Sequence, residues 1–256
     1  MRAMILAAGL GTRLRPLTDA RPKALVELNG RTLLEITITR LASFGVTEFI
    51  VNVHHFAEKV VDYLHFKKNF GFRIEISRED DQLLDTGGGL KNASWFFLEK
   101  TAITDDPFFL HNVDVISNID LNAMLQFHKL HQALATLAVQ SRPSSRQLLF
   151  DQALQLHRRN VEAHLPLATR HSPLLPSLKS SLQPLAFSGI HVISPRLLPL
   201  MTETGPFSII DTYLRLSSQS QKILAFRADQ YYWRDLGKPA DLTQASLDLQ
   251  QSTHQQ

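Results

Sequence analysis

The sequence contains no cysteine, and this absence narrows the chemistry that the chain can use. Disulfide bonds, zinc sites with thiolate ligands and cysteine nucleophiles are all excluded. No stretch comes near the roughly 20 consecutive apolar residues that a membrane-spanning helix needs. The apolar run close to the N-terminus is also too short and too soon interrupted for a signal peptide. We therefore expect a cytoplasmic protein with no membrane partner.

Charge of one sign is also scarce. The chain has 27 lysines and arginines and 24 acidic residues, which gives a formal net charge of +3. The basic residues form no long run. So small and dispersed an excess does not indicate a nucleic-acid partner. The 11 histidines show no spacing typical of a metal site. The adjacent His54 and His55 would point to opposite faces of a strand, so we do not expect a zinc site.

What the sequence does contain is a series of short apolar segments with alternating strand and helix periodicity. With 256 residues, 44% of them hydrophobic, the chain is long enough to bury a substantial core in a single domain, 1–256. Strands that alternate with helices imply right-handed βαβ units. The pattern predicts a Rossmann-like three-layer α/β sandwich with a mixed, mainly parallel sheet.

The predicted elements follow from periodicity and from the residues that end each segment. We expect helices over 33–44, 56–66, 89–98, 121–131, 209–217 and 239–249. We expect strands over 4–8, 48–53, 72–76, 108–110, 135–140, 148–150, 154–156, 186–193, 223–226 and 231–233. The proline- and serine-rich segment 164–184 is predicted to be a long surface loop or lid.

Small residues follow the first predicted strand. Ala7, Ala8, Gly9 and Gly11 allow a ligand to approach the backbone closely, and the N–H groups of such a loop can bind phosphate. The spacing matches neither a Walker A loop nor the dinucleotide-binding fingerprint. A tight turn with no ligand is the alternative.

Cations lie close to these glycines. Arg13 and Arg15 are in the loop itself, and Lys23 follows in a proline-containing turn. Arginine can bind phosphate through two nitrogen atoms, and lysine adds a compact positive charge. This clustering favours a phosphate site over a plain turn.

A second glycine cluster spans residues 87–89. We expect an exposed loop ahead of a helix, with a backbone that can hydrogen-bond a base or sugar hydroxyls. Glu79, slightly upstream, is expected to accept hydrogen bonds from a base or to be a solvated charge. A mobile loop at a helix start is the alternative for the glycines.

Two aspartates come from distant parts of the chain. Asp114 follows an apolar strand, at the position where open α/β sheets bind ligands, and Asp235 follows an aromatic strand. Two such carboxylates can hold one Mg²⁺ and leave its other positions to phosphate oxygens and water. A cap or turn role is the alternative for each residue.

Taken together, these segments resemble the sugar-1-phosphate nucleotidyltransferases of the NTP-transferase superfamily. Residues 6–16 and 21–28 are similar to the family's signature loop and its lysine, and residues 112–114 to its first metal aspartate segment. Residues 187–194 are similar to its sugar-side strand, and 233–239 to its second metal aspartate. The sequence departs from the family pattern at two positions. The family often has glycine or lysine where this chain has Leu10, and glycine where it has Val113.

The resemblance implies a GT-A-like nucleotidyltransferase fold, an NTP and a sugar 1-phosphate as substrates, and Mg²⁺ as cofactor. It implies an enzyme that joins a nucleoside monophosphate to the sugar phosphate and releases pyrophosphate, as a monomer or homodimer. Because the sugar phosphate is already an anionic nucleophile, no general base is required. The residues so implied are catalytic Arg13, Lys23, Asp114 and Asp235, metal-binding Asp114 and Asp235, nucleotide-binding Ala7, Ala8, Gly9, Gly11, Thr12, Glu79, Gly87 and Gly88, and sugar-binding Ser188 and Gly189 in a lobe at roughly 135–235.

Within the family, the short chain and residues 84–89 most resemble the N-acetylmuramate-1-phosphate uridylyltransferases. Mannose- and heptose-1-phosphate guanylyltransferases are close alternatives. A glycosyltransferase is disfavoured because Ile116 stands where a D-x-D motif needs its second carboxylate. A catalytically silent nucleotide-binding regulator and a cytidylyltransferase for alcohol phosphates remain alternatives. Arg142 and Arg146 are equally consistent with binding the acceptor phosphate and with a solvated loop.

Overall fold

The computed structural model describes residues 1–99, 105–160 and 182–253. Most of the predicted loop or lid at 164–184 therefore lies outside the described residues. The end of that prediction is wrong, because Gln183 and Pro184 already belong to a strand.

Strands in the described residues alternate with helices along most of the chain, as the periodicity predicts. They are β1 (Arg2–Leu6), β2 (Glu27–Leu28), β3 (Arg31–Thr32), β4 (Glu48–Val53), β5 (Arg73–Arg78), β6 (Phe108–Asn112), β7 (Val115–Ser117), β8 (Ala135–Gln140), β9 (Gln147–Phe150), β10 (Leu156–Arg159), β11 (Gln183–Ile193), β12 (Ile223–Arg227) and β13 (Trp233–Asp235).

The α-helices of the described residues are mostly two to four turns long. They are α1 (Leu33–Ser43), α2 (Ala57–Phe66), α3 (Asp85–Asn92), α4 (Trp95–Leu98), α5 (Leu121–His131), α6 (Ile209–Ser218) and α7 (Pro239–Thr253). Short 3₁₀ helices cover Thr12–Leu14, Lys23–Leu25, Lys68–Gly71 and Pro195–Leu200. Among these helices, none combines the length and apolar character that a bilayer crossing requires.

A mixed sheet forms the centre of the molecule, with nine strands among the described residues. Its main path runs in the order β10-β9-β11-β6-β1-β4-β5, and β8 joins β11 to β12. The pairs β6–β1, β1–β4, β4–β5 and β8–β12 are parallel, whereas β11 is antiparallel to β6, β8 and β9. The small pair β7–β13 lies outside this sheet. The carboxyl ends of β1, β4 and β6 therefore meet at one edge.

Alternate residues of the central strands pack into different cores. On β1, Ala3 and Ile5 belong to one buried cluster and Met4 to another. The first cluster includes buried side chains of α1, α2, α5 and α7, and the second those of α3, α4 and α6. Because side chains on a strand alternate between its two faces, helices cover the sheet on both sides. The predicted three-layer sandwich with a mixed, mainly parallel sheet is confirmed.

Local signals explain where α1 begins and ends. The hydroxyl of Thr32 accepts a hydrogen bond from the N–H of Glu35, 3.1 Å away, which caps the first turn. Gly45 follows the helix with a φ of 83°, a conformation that glycine adopts without steric strain. Between these ends, Leu34, Ile38 and Leu41 are fully buried, each contributing about 2 kcal/mol through apolar burial. The sequence-based bounds of 33–44 are correct to within one residue.

Two sequence-based expectations about elements are wrong. The helix predicted at 89–98 starts earlier, at Asp85, and is replaced near Ala93 by a separate short helix. The late strand predicted at 231–233 lies at Trp233–Asp235, so Asp235 ends the strand instead of following it. Backbone pairing with β7 decides this register, and the pairing partner is too distant in sequence to be read locally.

Among the described residues, three histidines lie in the interior, where the neutral form is favoured. Burial lowers the pKa of His111 and of His128 to about 4, and that of His191 to about 3. His191 shares a hydrogen bond of 2.9 Å with the hydroxyl of Tyr213. Since the unfolded chain takes up these protons near pH 6.5, stability is full above that pH and falls as the solution becomes more acidic.

We expect His191→Gln to flatten the dependence of stability on pH. Between pH 6 and pH 4.5 in the wild type, each such histidine contributes a slope of about 1.4 kcal/mol per pH unit. Urea unfolding at a series of pH values measures it. Tyr213→Phe, which removes the same hydrogen bond but no group that titrates in this range, should lower stability and leave the slope intact. An unchanged slope in His191→Gln would contradict the buried neutral imidazole.

Candidate active site

A cavity of about 200 Å³ opens where the parallel strands end. Its walls come from residues 6–9 at the end of β1, Asn52 on β4, and residues 112–114 at the end of β6. Lys23 and the segment around Leu83 complete the lining. The position agrees with the general rule that open α/β sheets bind ligands beyond the carboxyl ends of their strands.

The loop after β1 contributes backbone to this cavity. Ala7, Ala8 and Gly9 line it, as predicted for nucleotide contacts, whereas Gly11 and Thr12 lie beyond the lining residues. Gly11 has a φ of 66°, and its carbonyl accepts hydrogen bonds from the N–H of Leu14 and the hydroxyl of Thr18, both at 2.9 Å. This glycine therefore shapes the turn that leads into the 3₁₀ helix carrying Arg13.

Asn52 is a site residue that the sequence reasoning missed. Its amide oxygen accepts a hydrogen bond from the N–H of Ala7 at 2.7 Å, and its amide nitrogen donates to Glu79 Oε1 at 2.7 Å. The other carboxylate oxygen of Glu79 accepts from the N–H of Leu84 at 2.8 Å. The available signal was a polar residue at the end of an otherwise apolar strand beside β1. Glu79 is only 3% exposed, so the alternative of a solvated charge is wrong.

The prediction of an exposed glycine loop at residues 87–89 is wrong. All three glycines are buried within α3, and the N–H groups of Gly87 and Gly88 donate to the carbonyl of Phe207 at 2.9 and 3.3 Å. A Cβ on Gly87 would lie 2.3 Å from the Phe207 ring. Glycine is required at 87 and 88 because the 205–209 segment packs directly against the helix, and at 89 because the Asn52 and Glu79 side chains do. Local sequence reveals neither contact.

The two predicted metal aspartates are brought together by the pairing of β7 with β13. The N–H of Leu236 donates to the carbonyl of Asp114 at 2.8 Å, so the two aspartates lie on adjacent backbone segments. Burial raises the pKa of Asp235, and the neighbouring charge of Asp114 raises it further. Lys23, the N–H of Gly237 and Arg13 oppose that rise.

The predicted catalytic cations join these carboxylates. The Lys23 ammonium group contacts Asp114 Oδ2, and Lys23 itself is 8% exposed. Arg13 lies against the backbone of Gly237, where an added Cβ would be 2.7 Å from Arg13 Nη2 and 2.5 Å from Asp235 Oδ1. The structure therefore gathers all four predicted catalytic side chains from three distant parts of the chain. Lys23 and Asp114 line the cavity, and Arg13 and Asp235 lie next to them.

The two carboxylates also fit a divalent cation. They are hard oxygen ligands, and burial, followed by the charge of Asp114, raises the pKa of Asp235, an effect that a nearby cation would oppose. Within the described ranges, no cluster of three or more His, Cys, Asp or Glu side chains is arranged to hold a metal. A cation here would depend on two protein carboxylates and on oxygen atoms from substrate and water.

The predicted sugar-binding residues lie on β11 beside this site. Ser188 is fully buried, and its carbonyl accepts a hydrogen bond from Trp233 Nε1 at 2.7 Å. Gly189 has a φ of 74°, and a Cβ there would lie 2.8 Å from Asn112 Nδ2. Both residues thus connect β11 to the segments that carry the aspartates. Their contact with a sugar stays a prediction.

Comparison with known proteins gives a consistent result. The sequence profile of the Nucleotidyl transferase family matches residues 2–148, more than half of the chain. N-acetylmuramate alpha-1-phosphate uridylyltransferase from Caulobacter vibrioides is 46% identical over 116 residues, which cover 44% of this chain and 46% of that protein. Mannose-1-phosphate guanyltransferase from Candida albicans is 30% identical over 250 residues, 94% of this chain and 62% of that one. The chain thus spans about half to three fifths of the length of these relatives.

A solved structure shares the fold. HddC from Yersinia pseudotuberculosis, crystallised with GMP-PN, superposes with a TM-score of 0.71 over 97% of this chain and 99% of that chain. The sequence identity is 20%, so this likeness concerns the fold.

We expect Gly87→Ala to destabilise the protein by roughly 1–3 kcal/mol, because its methyl group would overlap the Phe207 ring. The free energy of unfolding in urea measures the effect. Gly9→Ala is the matched control, since an added Cβ there meets no atom within 4 Å. The control should stay within about 1 kcal/mol of the wild type or gain stability. Equal stability of the two variants would show that α3 and the 205–209 segment can separate freely.

Proposed function

The chain belongs to the nucleotidyl transferase family, and on that basis we propose that it is a sugar-1-phosphate nucleotidyltransferase. In this reaction an oxygen of the sugar 1-phosphate attacks the α-phosphorus of an NTP. The bond to the β-phosphate breaks, and pyrophosphate leaves. The products are an NDP-sugar and pyrophosphate.

One observation carries the proposal: two carboxylates and two cations from distant segments meet beside a cavity at the carboxyl ends of the parallel strands. Transfer of a nucleotidyl group needs alignment of the reactants and neutralisation of their negative charge more than it needs covalent help. Lys23 and Arg13 supply positive charge at the place where two anionic substrates would come together. No general base is needed, because the attacking phosphate oxygen is already ionised.

Each group has a proposed role in binding. The backbone of residues 7–9 lies along the NTP phosphates, and Gly11 and Thr12 direct Arg13 towards them. Lys23 stabilises the charge that builds up as the sugar phosphate approaches the α-phosphate. Because the N–H groups of Gly87 and Gly88 and the carboxylate of Glu79 are already bonded within the protein, we assign these residues to the support of the base-binding wall.

Asp114 and Asp235 are the residues that would hold Mg²⁺. When bound, the ion would supply further neutralisation of the substrate phosphates. Lys23 contacts Asp114, and the N–H of Gly237 donates to Asp235 Oδ1 at 2.7 Å. These contacts orient both carboxylates. Residues 135–235 form the sugar-binding lobe of this proposal, with Ser188 and Gly189 on its central strand.

For the substrates we propose UTP and N-acetylmuramate 1-phosphate. The support is the 46% identity to an N-acetylmuramate alpha-1-phosphate uridylyltransferase over 116 residues, 44% of this chain. A guanylyltransferase for mannose or heptose 1-phosphate is the second candidate. It is favoured by the alignment of 94% of the chain with a mannose-1-phosphate guanyltransferase.

Pyrophosphate release from purified protein tests the proposal directly. The assay combines Mg²⁺, each of the four NTPs and a panel of sugar 1-phosphates that includes N-acetylmuramate, N-acetylglucosamine, mannose, glucose and heptose. We expect release that requires both substrates, with the highest rate for UTP and N-acetylmuramate 1-phosphate. A highest rate with GTP would favour the second candidate. Nucleotide binding without release for any pair would favour a silent regulator.

We expect Lys23→Ala to reduce turnover about a hundredfold to a thousandfold, since removing a cation from a water-poor site raises the barrier by roughly 3–4 kcal/mol. The steady-state rate of pyrophosphate release at saturating substrates measures this loss. Lys129→Ala, which removes an exposed lysine from α5, should retain the wild-type rate. Circular dichroism and a melting curve establish that the Lys23 variant is folded. Near-normal turnover in the folded variant would rule out the proposed role.

A further inference from the structure

One arginine of the sugar-side lobe is held in a position that the roles assigned so far do not explain. The guanidinium carbon of Arg142 lies 3.7 Å from the centroid of the Trp233 ring, and its Nη2 donates to the carbonyl of Phe187 at 2.7 Å. These two contacts fix the side chain between β11 and β13. Arg146, in the same loop, is exposed. The two arginines that the sequence leaves equivalent are therefore clearly different.

The hydrogen-bonding capacity of Arg142 is largely unused. Its Nε is buried and has no hydrogen-bond partner among the described residues. Other arginines of this half of the chain form ion pairs, such as Arg159 with Asp211 and Arg215 with Glu203, but no carboxylate within the described ranges is within 4 Å of Arg142. A buried donor without a partner is unfavourable, and a planar guanidinium is suited to two-point contact with an anion.

The electrostatic surroundings of Arg142 connect it to Asp235. Burial lowers the pKa of Arg142, and the charge of Asp235 opposes this shift, so the two groups are within electrostatic reach. Arg142 is not part of the cavity that lies along residues 6–9 and Lys23. Its contacts are with Phe187 on β11, next to the predicted sugar-binding Ser188, and with Trp233 on β13, so we assign it to the acceptor side instead of the NTP side.

We propose that Arg142 binds an anionic group of the acceptor sugar, either its 1-phosphate or a carboxylate on the sugar ring, through its free guanidinium nitrogens. This inference rests on the proposed transferase activity and assigns it a specificity-determining residue. The stack on Trp233 and the bond to Phe187 orient the plane of the guanidinium before the substrate arrives. Lysine at this position would keep the charge but lose both the stack and the two-point geometry.

The test compares Arg142→Gln and Arg142→Lys with Arg146→Gln as a control that removes a charge from the same loop. KM and kcat for the acceptor and for the NTP are measured with N-acetylmuramate 1-phosphate and with N-acetylglucosamine 1-phosphate. We expect Arg142→Gln to raise the acceptor KM by about ten- to a hundredfold, as for the loss of a charged hydrogen bond. The NTP KM should stay within about twofold, Arg142→Lys should be intermediate, and Arg146→Gln should match the wild type.

The two acceptors distinguish the two anionic groups. A KM increase with both sugars assigns Arg142 to the 1-phosphate, and an increase only with the muramate sugar assigns it to the carboxylate. An unchanged acceptor KM in Arg142→Gln, an equal rise in the NTP KM, or the same loss in Arg146→Gln would overturn the inference. If Arg142 only connected β11 to β13, Arg142→Gln would lower stability or change the KM values of acceptor and NTP alike.

A binding measurement separates this inference from the proposed activity. The rise in melting temperature of the full chain is recorded with N-acetylmuramate 1-phosphate, N-acetylglucosamine 1-phosphate and N-acetylmuramate. If the wild type releases no pyrophosphate, the proposed activity fails, and the inference then depends on this measurement alone. Loss of the thermal shift in Arg142→Gln supports anion binding. An equal shift in the variant, or none in the wild type, overturns it.

Discussion

A buried series of hydrogen bonds from Ala7 through Asn52 and Glu79 to Leu84 holds the candidate site in shape. It joins the loop after β1, the end of β4, the end of β5 and the start of α3, which would otherwise be four independent segments. A carboxylate as buried as Glu79 would be strongly unfavourable if it were unpaired, but here both oxygens accept a hydrogen bond. The cavity wall is therefore rigid before any ligand binds, and its backbone can be positioned for phosphate and base at once.

Charge is concentrated at the other edge of the cavity. Burial and the charge of Asp114 both raise the pKa of Asp235, and Lys23, a backbone N–H and Arg13 oppose that rise. Such an arrangement stabilises the fold poorly but suits a centre that binds a divalent cation and several phosphates. The same groups thus contribute little to folding and favour the binding of charged ligands, a common property of functional sites.

The strand β11 connects the two halves of the proposed enzyme. Its C-terminal part pairs with β6, which leads to Asp114, and its carbonyl at Ser188 binds Trp233, two residues before Asp235. At Phe187 the same strand accepts the hydrogen bond of Arg142. One strand thus sets the distance between the carboxylates that we propose for Mg²⁺ and the guanidinium that we assign to the acceptor. In this proposal sugar selectivity and nucleotide binding can vary separately, because the proposed nucleotide wall belongs to the segments around β1, β4 and α3.

Much of this molecule could be predicted without its structure. Periodicity was sufficient for α1, α5 and the central strands, because burial on one face repeats every 3.6 or 2 residues along the chain itself. The charged residues Arg13, Lys23, Asp114 and Asp235 stood out because they follow a glycine loop, a proline-containing turn or a predicted strand, and the structure does bring them together. The family followed from the order of these segments along the chain.

The tertiary structure decided what depends on neighbours that are distant in sequence. The glycines at 87–89 were read as a loop because local sequence does not contain the Phe207 backbone that packs on them. Asn52 was missed because its partners, Ala7 and Glu79, lie just after other strands, β1 and β5, far away in sequence. The sequence alone did not distinguish Arg142 from Arg146, whereas in the structure Arg142 stacks on Trp233. Periodicity depends on residues that are close together in the sequence, so it can be recognised without the structure. A binding site depends on contacts between distant segments, and only folding brings those segments together.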